Sequence, residues 1–421
     1  MPVASPLPAG PAVATGIAGA DEAEPPGTVR LGRTRLFILL GALTSIGPLA
    51  IDLYLPALPR LAADLDASAS AAQLSLTTFM VGLGTGQVIV GPLSDAFGRK
   101  RPLLIGFAAF CVASALCALS PSIELLVAFR LLQGLTAATG VALTKAVVRD
   151  LHGGIEAARF FSMLMLVTGL VPLLAPLLGA QLLRVVGWQG LFGVITAAGG
   201  LLWLIALLVL PETHPPRLRT GAGPGAVLRS LATVIRNRTF AALALTAAFA
   251  SGAMFCYISG ASFVLQEVYG LSPQGFSLLF GVNSAGMIIT GQLAGRLAGR
   301  VPMRRLLTVG LALAGVAGVL LLVAALAGLG LPWVMSALFL VSSGQGLIYP
   351  MTLTLAMSSQ PTFRAGSASA LFGLVQWVAG GLTGPISGAF GTHTAVPLAV
   401  TVALLSLAAC LSGNVLLRGV R

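Results

Sequence analysis

Two ionisable residues lie inside long apolar runs of this sequence, and they are the ones best placed to do chemistry. Asp52 sits in Gly47-Pro-Leu-Ala-Ile-Asp52-Leu-Tyr54-Leu-Pro56-Ala-Leu-Pro59, and Arg130 opens Arg130-Leu-Leu-Gln133-Gly134. An ionisable side chain in a bilayer-spanning run costs about 3 kcal/mol or more, so such positions are functional candidates by default. Asp52, facing a central cavity, can take up and release protons; the competing reading is a structural carboxylate that caps a neighbour near one surface. Arg130 and Gln133 are three residues apart and share a helix face. An arginine cannot discharge itself, so Arg130 pairs with a carboxylate, a carbonyl or water, either in a cavity or as a structural bridge.

A second concentration of polar chemistry is Gly91-Pro-Leu-Ser-Asp95-Ala-Phe-Gly98-Arg99-Lys100-Arg-Pro102. It places one carboxylate, three adjacent cations and two glycines in a connection too short to be a domain. Further on, Pro172, Pro176, Gly179 and Ala180 lie in one apolar run, a pattern for a kinked helix packed closely on a neighbour. Tyr54, Gln133, Tyr257, Asn283 and Gln376 are polar groups within apolar runs and are candidates to contact a substrate, as are Gln266, Gln345, Tyr349 and Trp377. Glu267 and Tyr269 suit a membrane surface, where aromatic rings anchor. Patterns for soluble catalysis are missing: the sequence has no Gly-x-Ser-x-Gly elbow, no phosphate-binding Gly-rich loop and no His-Glu-x-x-His. The four cysteines and three histidines show no metal-ligand spacing, so no metal and no cofactor are expected, and the cysteines read as small packing residues.

The elements that must position these residues are legible in the composition. The chain has 421 residues, 57% of them apolar and only 9% charged, with a mean hydropathy of +0.97. Soluble domains carry roughly 25% charge. Repeated apolar runs of about 20 residues mark transmembrane helices, whereas a membrane barrel would show short alternating segments. The spacing predicts an all-α membrane protein with twelve spans over 36–58, 72–93, 102–120, 123–146, 158–183, 189–211, 240–265, 275–298, 303–328, 331–357, 365–389 and 394–417. Residues 1–33, rich in Pro, Ala and Gly and without the pattern of a signal peptide, are expected to form a disordered tail. Residues 34–211 and 240–421 then form two six-helix halves, joined by a linker over 212–239.

The net charge of +12 is explained by orientation in a membrane and does not require nucleic acid. With the N-terminus in the cytoplasm, only Arg60 and Arg184 of the 24 basic residues fall outside, and Arg130 lies within a span. The positive-inside rule therefore predicts that both termini are cytoplasmic. Shifting the sequence by 200 residues aligns Gly86 with Gly286, Ile89 with Ile289, Gly91 with Gly291, Leu93 with Leu293 and Pro102 with Pro302. Duplicated halves around a central site are a transporter architecture.

At this point the residues carry a resemblance. The hairpin from Gly91 to Lys100 is similar to the signature between spans two and three of the major facilitator superfamily, with Ala96 where a basic residue is usual. Arg130 to Gly134 resembles the span-four motif of the proton-driven branch. Ala175-Pro176-Leu-Leu-Gly179-Ala180 resembles the span-five antiporter signature, with two glycines changed to alanine. Asp52 to Pro59, Gly270-Leu-Ser-Pro273 and Ala365 to Ala370 resemble the Bcr/CflA group, whose members export bicyclomycin, chloramphenicol and related drugs. The resemblance implies a multidrug:proton antiporter of the bacterial inner membrane that is not an enzyme. It would work as a monomer by alternating access on small, mostly neutral or lipophilic compounds. Asp52 and Arg130 would form its proton-linked pair. Gly91, Asp95, Gly98, Arg99 and Lys100 would form a gate, with Asp95 near the N-terminal end of span eleven and Arg99 and Lys100 at lipid headgroups. A symporter importing a metabolite, and a membrane sensor that transports nothing, are the alternatives.

Overall fold

A computed structural model describes residues 33–152, 154–219, 223–361 and 364–416. The expected N-terminal tail and the last two arginines lie outside the described residues. The chain is a bundle of long helices: α1 (Arg33–Asp52), a short α2 (Leu58–Asp64), α3 (Ala69–Phe97), α4 (Lys100–Ala118), α5 (Ile123–Leu151), α6 (Gly154–Val209), α7 (Pro224–Ile235), α8 (Arg238–Phe263), α9 (Pro273–Leu297), α10 (Met303–Leu326), α11 (Leu331–Ser358), α12 (Ala365–Ala389) and α13 (Val396–Leu416). Among the described residues eleven runs are long and apolar enough to cross a membrane. The longest of them breaks at Gly187 (φ +66°), so α6 crosses twice and the twelve expected spans are all present. A side chain at that φ would be strained, so glycine sets the turn. The next residue, Trp188, is fully buried, and its Nε1 donates to Asp64 Oδ2 at 3.1 Å.

Helices are the expected form because lipid leaves each span to satisfy its own backbone groups. Where the chain re-enters a helix, the first free N–H groups are taken by local side chains. Ser68, Ser122, Asn237 and Ser272 accept from Ala71, Leu125, Phe240 and Gly275. Packing between neighbours relies on missing side chains. A Cβ at Gly86 would meet Leu135 O of α5 at 2.5 Å, and one at Gly286 would meet Phe339 of α11 at 2.6 Å. The two glycines aligned by the 200-residue shift thus do the same job in α3 and α9. The segment expected as a plain linker holds its own helix, α7, and Ser230 of α7 bonds Ser367 of α12 at 2.8 Å.

The helices before residue 220 and those after 223 meet along a seam that is tight at one end. There Ser70 Oγ donates to Pro385 O at 2.8 Å, Ser262 Oγ to Leu55 O at 2.6 Å and Gln274 Nε2 to Ala180 O at 2.8 Å. At the other end the two sets diverge. A Cβ on Gly388 of α12 would meet Ser70 Cα at 3.1 Å, whereas one on Gly366 of α12 or Gly91 of α3 would meet nothing within 4 Å. The divergent end carries the basic loops.

Candidate functional site: a buried carboxyl at the broken end of α1 and an ion-pair network at the basic end

Asp52 is the last residue of α1. The following prolines end the helix: residues 55–57 form a single 3-10 turn and α2 starts with Leu58-Pro59, since proline brings no N–H and clashes with the preceding turn. Asp52 is 5% exposed. Among the described residues it has no hydrogen-bond or ion-pair partner. Its neighbour Ile51 lines a narrow cavity on the seam, together with Gln73, Met80, Phe255 and Gly380. Gln73 Oε1 is buried there without a hydrogen-bond partner among the described residues.

The structure does not bring Arg130 to Asp52. Arg130 is fully buried and four of the five N–H groups of its guanidinium are taken by other groups. Nε donates to Ser75 O at 3.2 Å, Nη1 to Ala50 O at 3.1 Å and to Gln133 Oε1 at 2.6 Å, and Nη2 to Tyr54 OH at 3.3 Å. Its Cζ lies 4.2 Å from the Phe79 ring centre and 4.6 Å from that of Tyr54, a cation–π arrangement. Ala50 and Tyr54 flank Asp52 by two residues on either side. The carbonyls in the last turn of a helix have no intrahelical partner, and Arg130 caps one of them. It therefore fixes the backbone that carries Asp52 and does not neutralise it.

This corrects the expectation for two substrate candidates. Tyr54 and Gln133 are fully buried parts of the Arg130 cluster; Tyr54 OH bonds Ser75 Oγ at 3.1 Å and Gln133 Nε2 donates to Ser114 Oγ at 2.7 Å. Both sit within the wall and not in the cavity. Asn283 Nδ2 donates to Tyr257 OH at 2.8 Å, and the pair is buried at α8 and α9. Gln376 and Trp377 are partly exposed on α12, and Trp377 packs on Phe255 across 5.4 Å. Tyr349, 40% exposed in α11, and Lys145, exposed inside α5, are further polar side chains at the surface of the helices.

The prolines of α6 lie on the seam. Pro172 O accepts from Ser284 Oγ of α9 at 3.4 Å. Gly179 lies so close to the chain just after α1 that a Cβ there would run into Leu53 O.

At the basic end the hairpin is held by partners distant in sequence. Gly98 takes φ +89°, and a Cβ on it would meet Glu212 Oε2 at 2.5 Å. Glu212 accepts from the backbone N–H of Arg99 at 2.8 Å and of Lys100 at 3.2 Å. A carboxylate thus caps the positive end of α4. Arg99 is 5% exposed; Nη1 donates to Asp95 Oδ1 at 2.6 Å and Ser94 Oγ at 2.7 Å, and Nε to Asp150 Oδ2 at 2.9 Å. Burial works against its charge, but the bonds to Asp150 and Asp95 outweigh it and hold the guanidinium pKa above its ordinary value. Arg99 is therefore committed to protein and not to lipid headgroups, and Asp95 pairs with Arg99 in the same hairpin and not with the N-terminus of α12. Glu212 and Asp150 escaped sequence reasoning. Their only signals are a Glu immediately after span six and an Arg149-Asp150 pair closing span four.

A model of the Major Facilitator Superfamily matches residues 38–385. The chain is 42% identical to the uncharacterized MFS-type transporter YdgK of Bacillus subtilis over 89% of this chain and 94% of that protein. It is 29% identical to a bicyclomycin resistance protein homolog of Haemophilus influenzae over 91% and 95%, and 34% identical to a chloramphenicol resistance protein of Pseudomonas aeruginosa over 62% and 61%. Among solved structures, the human organic anion transporter MFSD10 superposes with a TM-score of 0.68 at 19% identity, over 92% of this chain and all of that one.

Proposed function

Because the chain belongs to the Major Facilitator Superfamily, as a multi-pass membrane transporter and not an enzyme, we propose that it is a proton-coupled exporter of small, mostly neutral or lipophilic compounds, working by alternating access. The observation that carries the proposal is Asp52, a buried carboxyl without a partner among the described residues, at the broken end of α1 and next in sequence to Ile51, which lines the cavity on the seam. The relatives named for bicyclomycin and chloramphenicol resistance support drug export as the direction and purpose. The positive-inside rule puts the basic end, and so both termini, in the cytoplasm of a bacterial inner membrane. On that orientation the seam is closed outside and open inside.

The cycle then runs in three steps. Asp52 takes a proton when the outer end opens, the two helix sets rock, and the proton leaves to the cytoplasm as substrate is taken up there. One proton per neutral drug is driven by the pH gradient and by the potential, the latter worth roughly 2.3 kcal/mol per charge per 100 mV. In the opposite state Asp95 would leave Arg99 for the positively polarised N-terminus of α12, locking the inner end. Arg99 and Lys100 keep the hairpin at that end. Arg130 serves as a positioning residue for Asp52. Gln376, Trp377 and Tyr349, which are not buried, supply the polar contacts for substrate, and the buried Tyr257–Asn283 pair shapes the wall behind them; the protein acts as a monomer in lipid.

Loaded vesicles carrying the wild type and Asp52→Asn, with a drug-susceptibility panel in an efflux-deficient host, test this. Export driven by an imposed pH gradient should disappear in the variant while the folded protein remains in the membrane. Efflux that stays proton-coupled without Asp52, or accumulation in place of efflux, refutes the proposal.

A further inference from the structure

Three of the carbonyls on the seam, from its tight end inward, share a chemical history. In a helix the carbonyl of residue i accepts the N–H of residue i+4, and a proline at i+4 leaves that carbonyl without its bond. Gly381, Leu55 and Pro172 are each followed four residues later by a proline: Pro385, Pro59 and Pro176. Each of those three carbonyls receives a hydroxyl from the opposite helix set. Thr77 Oγ1 of α3 donates to Gly381 O of α12 at 2.5 Å. Ser262 Oγ of α8 donates to Leu55 O at 2.6 Å. Ser284 Oγ of α9 reaches Pro172 O of α6 at 3.4 Å while holding Phe280 O of its own helix at 3.0 Å. Leu55 O also takes the N–H of Leu58, the tighter bond left when Pro59 offers none.

We propose that these prolines leave carbonyls without their i+4 helical N–H, and that Thr77, Ser262 and Ser284 latch onto them to hold this end of the transporter shut. The role differs from kinking. A kink needs only the proline, whereas the latch needs a proline in one helix set and a hydroxyl in the other. Buried backbone carbonyls must find a partner, and in lipid the partner comes from protein. When the seam opens, the three carbonyls lose these hydroxyls and are exposed to the incoming water, which solvates them. The latch carries no charge, so its strength is independent of salt, unlike the Arg99 network at the basic end. It also gives Pro176 of the span-five pattern a task on this chain, which is to present Pro172 O to α9.

The inference rests on the alternating-access part of the proposed function and not on the substrate. The test uses the full chain in proteoliposomes, with the four native cysteines replaced by alanine and spin labels at Ala63→Cys and Leu329→Cys, both beyond the tight end. The distance distribution then reports the open-to-closed ratio at that end without any drug. Thr77→Val and Ser262→Ala should each raise the ratio about three- to five-fold, the value of one hydrogen bond in a membrane protein. Ser284→Ala, whose longer bond is shared, should raise it less. Pro385→Ala restores an N–H for Gly381 O, so it should match Thr77→Val, and the double variant should move no further than either alone. Additive effects of Thr77→Val and Pro385→Ala, or two wild-type populations unmoved by both Thr77→Val and Ser262→Ala, overturn the latch. A single wild-type distance at every pH would instead overturn alternating access itself. Thr77 and Ser262 act on separate carbonyls, so misfolding of one variant leaves the other as a test.

Discussion

Arg130→Lys separates a residue that builds the site from one that reacts in it. The substitution keeps the positive charge and removes the planar fork. In the wild type that fork makes four hydrogen bonds, to Ser75 O, Ala50 O, Gln133 Oε1 and Tyr54 OH. A single ammonium keeps one or two of them. Side-chain hydrogen bonds inside membrane proteins are worth about 0.6 kcal/mol each on average, and a buried carbonyl left unpaired costs about 1 kcal/mol or more. Losing two bonds, orphaning one carbonyl and weakening the stacking on Phe79 and Tyr54 sums to about 3 kcal/mol. Reversible unfolding in mixed micelles with a denaturing detergent measures this loss. Transport should fall with it, because the end of α1 is no longer held, while the pH dependence of the remaining transport stays that of Asp52. A double-mutant cycle with Tyr54→Phe should show coupling of about 0.6 kcal/mol. If Arg130→Lys is as stable as the wild type to within about 0.5 kcal/mol and yet changes the pH profile, then Arg130 takes part in proton transfer and the positioning argument is wrong.

Other outcomes follow from the basic end. Asp150→Asn should destabilise more than Asp95→Asn, because the Asp150 side chain is 18% exposed and that of Asp95 48%. Removing a partly buried partner of Arg99 is expected to cost about 2 kcal/mol, and the more exposed one below about 1 kcal/mol; thermal unfolding in detergent gives the order. Asp95→Asn should nevertheless slow transport more than it lowers stability, since its second partner is proposed to lie in the opposite state; equal losses would remove that role. Gly98→Ala forces an alanine into φ +89° and presses its Cβ on Glu212, costing about 2 kcal/mol. Faster proteolysis at the hairpin than at the other loops is the expected sign, and unchanged cleavage would count against Glu212 as the cap of α4.

The hydrophobic effect in lipid made some features readable from the chain alone. Each span must satisfy its own backbone, so apolar runs about 20 residues long predict helices without reference to any neighbour. Charge placed the basic loops on one side by the same one-dimensional logic. Asp52 stood out because a carboxylate in such a run is costly whether it caps a neighbour or handles protons, and Pro56 and Pro59 announced the break that follows it. The partners of Arg130 were different. Two of them are backbone carbonyls, which every residue has, so nothing in the sequence distinguishes Ala50 or Ser75 as acceptors. Glu212 and Asp150 converge on the hairpin from the ends of spans six and four, a meeting set by helix packing and not by spacing. Thr77 and Gly381 are 304 residues apart, and only the close approach of α3 and α12 gives the hydroxyl its carbonyl. Which end of the seam is tight was likewise beyond the sequence. Two arrangements of one chain share every span and every loop, and they differ only in which weak contacts between the helix sets are made. The sequence by itself determined the spans, their orientation charges and the isolated carboxyl. Tertiary structure alone decided that this carboxyl stands without a counter-ion, because the buried arginine spends its hydrogen bonds on two backbone carbonyls, an amide and a hydroxyl that packing brings to it.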